Sequence, residues 1–272
     1  MTSAPSSDPA ILAVEDGIAT LTLNNPANLN AFDATVARHL KDLAAEVESR
    51  GDVRVLIIRG NGPSFCAGAD VQTLVDQGAD IGAPARAILR EMQEYIACLR
   101  RMDKVVIMSV HGAVAGGGMA LVSHADLCIA ASGTRFVPAY NRLALSPDMG
   151  ATFGFERAIG LKRSLQAFLY EDYISAQVAL EWGLINWIVP EDRLADETLR
   201  IAKKIAANAP RAIAATKHLF HRSRGQDLPA QMSEEAEAVV YCMQDEGFKS
   251  ALAKLVRRNN LGPSAHSRTK IS

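Results

Sequence analysis

The sequence predicts an α/β core followed by a helical C-terminal segment. Three observations carry that prediction. Continuous β-branched and apolar runs at 53–58 and 105–110 have the pattern of strands buried on both faces. Apolar residues at helical spacing separate those runs. Beyond about Pro190 the strand pattern stops, and 199–207, 213–220 and 234–256 are helical with no convincing strand between them. Alternating strand and helix is what βα crossover units produce, and no repeat of fixed period appears.

In chain order, 11–14 and 18–23 are short apolar runs joined by Asp16-Gly17, a dipeptide suited to the positive φ of a hairpin turn. Asn24-Asn25-Pro26 ends the second run. Asp33 has the place of an N-cap, because Val36, Leu40, Leu43, Ala44 and Val47 follow at helical spacing and Gly51 stops them. A second amphipathic helix follows Pro84, with Ile88, Leu89, Met92, Ile96 and Leu99 on one face. A third buried strand covers 127–130. Residues 225–229 form a joint among the C-terminal helices, and the tail from Gly262 is polar.

Composition excludes several classes. The chain is 49% apolar and 22% charged, as in ordinary globular proteins, and its formal charge of −1 supplies no basic field for nucleic acid. No apolar run approaches the roughly 20 residues that span a bilayer. The polar start lacks the features of a signal peptide. Cys66, Cys98, Cys128 and Cys242 are far apart, without metal-ligand spacing, which predicts reduced thiols and a cytoplasmic location. The six histidines are equally scattered, so no metal site is expected.

Two small-residue segments invite a functional reading. SFCAGAD (64–70) follows the strand at 53–59 and its Gly60–Pro63 turn; HGAVAGGG (111–118) follows the strand at 105–110. Ligands of open α/β sheets gather at such strand ends, and a helix N-terminus offers unpaired N–H groups. Taken singly, each run is better explained by close packing. Neither GxGxxG nor GxxxxGK[ST] occurs, so dinucleotide and P-loop readings fail.

Taken together, SFCAGAD and HGAVAGGGMAL resemble the double signature of the crotonase (enoyl-CoA hydratase/isomerase) superfamily. Asn25-Pro26, Leu29-Asn30-Ala31, Ser146-Pro147-Asp148 with Gly150, and the segment from Ala176 to Pro190 resemble its other elements, so the likeness runs from about Ile11 to Arg257. The resemblance implies a fold of repeated ββα units forming a spiral core over 1–195, with a C-terminal helical trimerisation segment over 196–272. It implies an acyl-CoA thioester substrate, no cofactor beyond coenzyme A as part of that substrate, and a homotrimer or a hexamer made of two trimers. The N–H groups of Ala69 and Gly117 are then the oxyanion hole. Asn28, Leu29, Ala67, Gly68, Asp70 and Gly116 are the grip on coenzyme A and its thioester, with Tyr140 lining the acyl pocket.

One departure selects among the family's reactions. Hydratases of this family use two glutamates, whose positions fall here on Ala120 and Tyr140. Asp148 remains, where some isomerases of the family carry their proton-shuttling acid and the dehalogenase branch its nucleophile. That branch also uses a tryptophan and a histidine, at positions counted here to Tyr140 and Gln93. The favoured reaction is therefore double-bond isomerisation of an enoyl-CoA through a thioester enolate, with Asp148 moving the proton. Hydration, hydrolysis or dehalogenation through Asp148, and an impaired member that only binds acyl-CoA, are the alternatives. From the residues alone, Asp148 reads better as a turn or cap aspartate, and it is the resemblance that makes it catalytic.

Lesser candidates have plainer readings. His111 is expected to be a hydrogen-bonded structural histidine, Cys66 a packing residue, Asp126 a buttress of the strand after it, and Glu156–Arg157 a surface pair. Arg100, Arg101 and Lys104 complement a helix end. The polar stretch 72–84 is expected to form a flap, and Lys217 with 246–249 to lie in the subunit-packing segment.

Overall fold

The computed structural model describes residues 8–76 and 82–260. It divides into two compact units after Ala207. The first unit opens with the expected hairpin, β1 (Ala10–Glu15) and β2 (Ile18–Leu23), antiparallel with Glu15 opposite Ile18. Asp16 and Gly17 both take positive φ, 50° and 76°, as a two-residue turn matched to strand twist requires. In α1 (Ala34–Ser49), Asp33 Oδ1 accepts from the Val36 N–H at 2.7 Å, the predicted N-cap. Next come β3 (Val55–Gly60), α2 (Val71–Asp76), α3 (Gly82–Arg101) and β4 (Val105–Val110). They are followed by β5 (Ala113–Ala115), α4 (Gly117–His124), β6 (Leu127–Ala131) and β7 (Arg135–Val137). The unit closes with α5 (Ala151–Leu169), β8 (Ile174–Ser175), α6 (Ala176–Trp182), β9 (Trp187–Val189) and α7 (Leu194–Ala206).

Two sheets result. The larger has the order β1-β2-β3-β4-β6-β9 and is parallel from β2 onward; the smaller has the order β5-β7-β8. The central strands are covered on both faces, which is why their sequences read as unbroken apolar runs. Leu56, Ile58, Val106, Met108 and Val110 enter the main core with the buried stripes of α1 and α3. Ser109 points the other way, and its hydroxyl meets that of Thr198 on α7 at 2.8 Å. The chain switches sheets between β4 and β5, at His111-Gly112, directly before the second glycine-rich segment.

The smaller sheet escapes sequence reading, because strands of two or three residues carry no period. In the second unit, α8 (Pro210–Ser223), α9 (Leu228–Met243) and α10 (Glu246–Asn260) replace what the sequence suggests as two helices. The run expected at 234–256 breaks at Gln244-Asp245, where Asp245 Oδ1 accepts from the Gly247 N–H at 2.8 Å and starts a new helix. The division between units comes after α7, which packs on the strands of the larger sheet, rather than at 195/196. Of the flap expected at 72–84, 71–76 form α2, α3 begins at Gly82, and 77–81 lie outside the described residues, as do 1–7 and the tail. Among the described residues, no helix is long and apolar enough to cross a membrane.

Candidate functional site

Three chain segments are laced side by side at the C-terminal ends of the parallel strands. Asn30 begins the lacing. It is buried, its Nδ2 donates to the carbonyls of Asn61, Ser64 and Phe65 at 2.9–3.1 Å, and its Oδ1 accepts from the Asn25 N–H at 2.9 Å. The Ala67 N–H then donates to Leu29 O, the Phe32 N–H to Gly68 O and the Asp70 N–H to Phe32 O, at 2.7–2.9 Å. On the other side, the Phe65 N–H donates to His111 O, the Cys66 N–H to Ala113 O and the Ala115 N–H to Cys66 O. The first glycine-rich segment thus runs between 29–32 and 111–115. Asn28, Leu29, Ala67, Gly68, Ala69, Asp70, Gly116 and Gly117 are brought into one neighbourhood.

Gly68 shows how close the approach is. A Cβ there would lie 2.9 Å from Ala115 O and 3.0 Å from the Gly117 nitrogen, and its φ of +91° disfavours any side chain. Gly117 opens α4, so its N–H has no partner within the helix. Ala69 pairs with Phe32 in an isolated bridge whose hydrogen bonds use the atoms of its neighbours, Gly68 O and the Asp70 N–H. Among the described residues, none accepts a hydrogen bond from the Ala69 or Gly117 N–H. Two backbone donors on adjoining turns, one of them at a helix N-terminus, are suited to an oxygen that gains negative charge.

Asp70 caps α2 by accepting from Gln72 N at 3.0 Å and Thr73 N at 3.3 Å, and takes a further bond from Asn28 Nδ2 at 3.0 Å. Burial pushes its pKa up. The bonds from Thr73, Asn28 and Gln72 outweigh that and hold the carboxyl below the usual range. It is a fixed anion that shapes the loop beside the exposed Leu29.

Asp148 lies on the turn before α5, half-buried. Its Oδ1 accepts a 2.7 Å hydrogen bond from the hydroxyl of Tyr140, which is buried on the 3-10 turn Ala139–Leu143. Burial raises the Asp148 pKa above the ordinary value, and the Tyr140 bond pulls against that rise without cancelling it. Burial, and then the Asp148 charge, push the Tyr140 phenol far up, so it stays protonated as a donor. The next residue, Met149, ties this turn to the backbone donors: a Cβ on Gly117 would meet Met149 Sδ at 3.0 Å and the Phe32 ring at 3.4 Å. Ala120, at the first of the two glutamate positions, is wholly buried and apolar.

The remaining candidates have structural partners. His111 Nε2 faces Gly62 O at 2.8 Å. Burial pushes the Cys66 thiol up to about 12, and its sulfur takes the Gly68 N–H at 3.3 Å, so it is packed and unreactive. Arg101 grips Glu48 with two bonds of 2.8 Å, Lys104 binds Glu48 O, and Arg157 lies over the Phe153 ring while its guanidinium stands 3.8 Å from Glu156. Asp126 accepts from the Val106 N–H, so it ties down β4, the neighbour of the strand that follows it. Gln93, counted to the dehalogenase histidine, is exposed on α3.

Sequence reasoning missed two residues here. Tyr95, one helical face away from Gln93, is wholly buried, and its hydroxyl has no hydrogen-bond partner among the described residues. Burial, with the Cys98 and Cys66 thiols nearby, pushes its phenol far up. Membership of the α3 apolar stripe was the available signal. His124, the last residue of α4, is buried against the Asp148 turn, and nothing in its sequence setting marks it. Among the described residues, no group of three His, Cys, Asp or Glu is placed to hold a metal.

Known proteins resemble this chain over most of its length. The profile of the enoyl-CoA hydratase/isomerase family matches residues 13–260. The 1,2-epoxyphenylacetyl-CoA isomerase of Escherichia coli (strain K12) is 32% identical over 82% of this chain and 86% of its own. The short-chain-enoyl-CoA hydratase of Clostridium acetobutylicum is 28% identical over 92% of this chain and 95% of its own. The crystal structure of an enoyl-CoA hydratase from Polaromonas sp. JS666 superposes with a TM-score of 0.87 at 27% identity, covering 92% of this chain and 97% of that one.

Proposed function

This chain belongs to the enoyl-CoA hydratase/isomerase family, and from that premise we propose that it isomerises an enoyl-CoA thioester by moving one proton through Asp148. The carrying observation is the half-buried carboxylate on the turn that packs against Gly117 through Met149: Asp148 is held by Tyr140, while the other family acid positions hold Ala120 and Tyr140 itself.

In the proposed cycle, the thioester oxygen sits between the N–H groups of Ala69 and Gly117. Asn28, Leu29, Ala67, Gly68, Asp70 and Gly116 shape the approach of the coenzyme. The ionised Asp148 removes a proton from C2 of a 3-enoyl thioester, and negative charge moves onto the thioester oxygen. Each fixed N–H meeting that charge supplies roughly 3–4 kcal/mol of barrier lowering. The protonated Asp148 returns the proton at C4, the double bond shifts to C2–C3, and nothing else is consumed or released. A raised pKa suits a group that must both accept and give back this proton. Water addition places heavier demands: a second group must orient the water, and neither Ala120 nor Tyr140 is a carboxylate.

The reading is tested by incubating the protein with a 3-enoyl-CoA in heavy water. Migration of the double bond with deuterium at C2 or C4 is expected, and both are lost in Asp148→Asn. Formation of a 3-hydroxyacyl-CoA as the main product would replace the isomerase reading with hydration. Assembly as a homotrimer or hexamer is part of the same reading. It is supported by the exposed apolar side chains of the second unit, among them Phe220, Leu228, Met232 and Leu255, and is checked by light scattering.

A further inference from the structure

The turn that presents Asp148 is an improbable piece of backbone. Met149 has φ +49° and Gly150 φ +73°, two left-handed residues in succession, and Met149 carries a side chain there. A left-handed residue other than glycine is strained and persists only where its surroundings hold it. The surroundings here are α4. His124, at its last position, is 4% exposed, and its Nε2 lies 3.0 Å from Met149 O. A carbonyl oxygen only accepts, so Nε2 carries the hydrogen. The imidazole fills the space above residue 150, where a Cβ on Gly150 would stand 2.8 Å from Nε2. One residue back along α4, Ser123 seats α5: a Cβ on Gly154 would overlap Ser123 Oγ. Below the turn, the Ala151 N–H closes onto Asp148 O at 2.8 Å.

One short helix therefore touches both halves of the site. Its first residue, Gly117, supplies a backbone donor and bears on Met149 Sδ; its last residue, His124, holds the Met149 carbonyl.

We infer that His124 is a positioning residue for Asp148: its Nε2–H fixes the left-handed Met149-Gly150 turn and so sets where the carboxylate stands relative to the Gly117 N–H. The inference rests on the proposed role of Asp148, but its test needs no turnover. Tyr140 is the titratable side chain bonded to Asp148; Cys66 lies near Tyr140, and His124 faces the Met149 carbonyl behind the turn.

The experiment follows the Asp148 carboxyl by carbon-13 NMR titration of the full chain, assigned by its disappearance in Asp148→Asn, in wild type, His124→Leu and His124→Gln. Leucine fills the space without a donor; glutamine restores an N–H at similar reach. In His124→Leu the turn relaxes and the carboxylate gains solvent. Burial is the larger influence on this group, so its midpoint falls toward the ordinary carboxylate range even though the Tyr140 bond is also loosened. In His124→Gln the midpoint stays near that of wild type. In the isomerisation assay, His124→Leu loses about 10²-fold in kcat with KM within about threefold, as a misplaced reacting group would. If His124→Leu does not fold, His124→Asn, whose amide is too short to reach, takes its place with the same expectation. Equal midpoints in all variants, or equal displacement by Leu and Gln, would overturn the inference and leave the role of Asp148 standing. Full activity in Asp148→Asn would instead remove the proposed function, whatever the titrations give.

Discussion

Tyr140 and Asp148 are joined by a 2.7 Å hydrogen bond in which the phenol donates to the Oδ1 carboxylate oxygen. The bond favours the charged form of a group that burial pushes toward the neutral one. Removing it in Tyr140→Phe takes away the larger of the two bonds that oppose burial, so the Asp148 pKa rises further. A base must be ionised to act, so the acid limb of the kcat/KM profile moves to higher pH, and the rate below that limb falls. An acid limb that stays in place or moves down would show that the phenol does not govern this carboxylate.

The same shift has a consequence for stability. A carboxyl whose folded pKa is raised stabilises the fold below its unfolded pKa of about 4, and that contribution is lost as pH rises through the folded value. At pH 7, Asp148 is therefore a burden on the fold. Asp148→Asn keeps the shape and an acceptor for Tyr140 without the charge. It is expected to raise Tm at pH 7 while costing on the order of 10²–10⁴-fold in proton transfer. The Tm gain should vanish near pH 3. A gain that is independent of pH would mean the charge is not its source.

Gly68 and Gly117 separate strain from obstruction. In Gly68→Ala the new methyl meets backbone, Ala115 O and the Gly117 nitrogen, at a φ of +91°. The turns must part, so both stability and thioester turnover fall, the latter by about 10²–10³-fold for a displaced donor. In Gly117→Ala the methyl meets the Met149 sulfur and the Phe32 ring edge, which are side chains that can shift. Unfolding by urea should then show a near-normal midpoint with turnover still depressed. Equal loss of stability in the two variants would contradict this distinction.

What was legible in the sequence follows physical range. Periodic elements and caps could be read: the Asp16-Gly17 turn, the Asp33 cap and the buried runs of β3 and β4 are local chemistry, and the structure has them. The two glycine-rich segments were recognisable because backbone that approaches backbone needs small residues, as at Gly68. Interactions across long sequence separations could not be read. Asn30 looks like any turn asparagine, yet it stitches together three carbonyls more than thirty residues away. The break at Asp245 hides inside a helix-forming composition. On α3, counting reached Gln93, which faces solvent; the buried tyrosine two residues on lies in the apolar stripe, where position alone does not tell an orphaned hydroxyl from an ordinary packing residue.

That tyrosine supports a last prediction. The Tyr95 hydroxyl is wholly buried without a hydrogen-bond partner among the described residues. Such a group forfeits about 1–3 kcal/mol of hydration that nothing returns. Tyr95→Phe removes only the oxygen and leaves the ring packed beside Cys98 and Cys66. The variant is therefore expected to be more stable than wild type by about 1 kcal/mol, read as a higher urea midpoint at unchanged slope. If the orphan oxygen serves only the empty fold, the turnover of every thioester tested rises or stays level. A loss confined to substrates bearing a polar atom far along the acyl chain would assign the hydroxyl to substrate selection, because a site that leaves a buried donor for its ligand discriminates against ligands that cannot use it. A lower urea midpoint would show that the hydroxyl is satisfied after all.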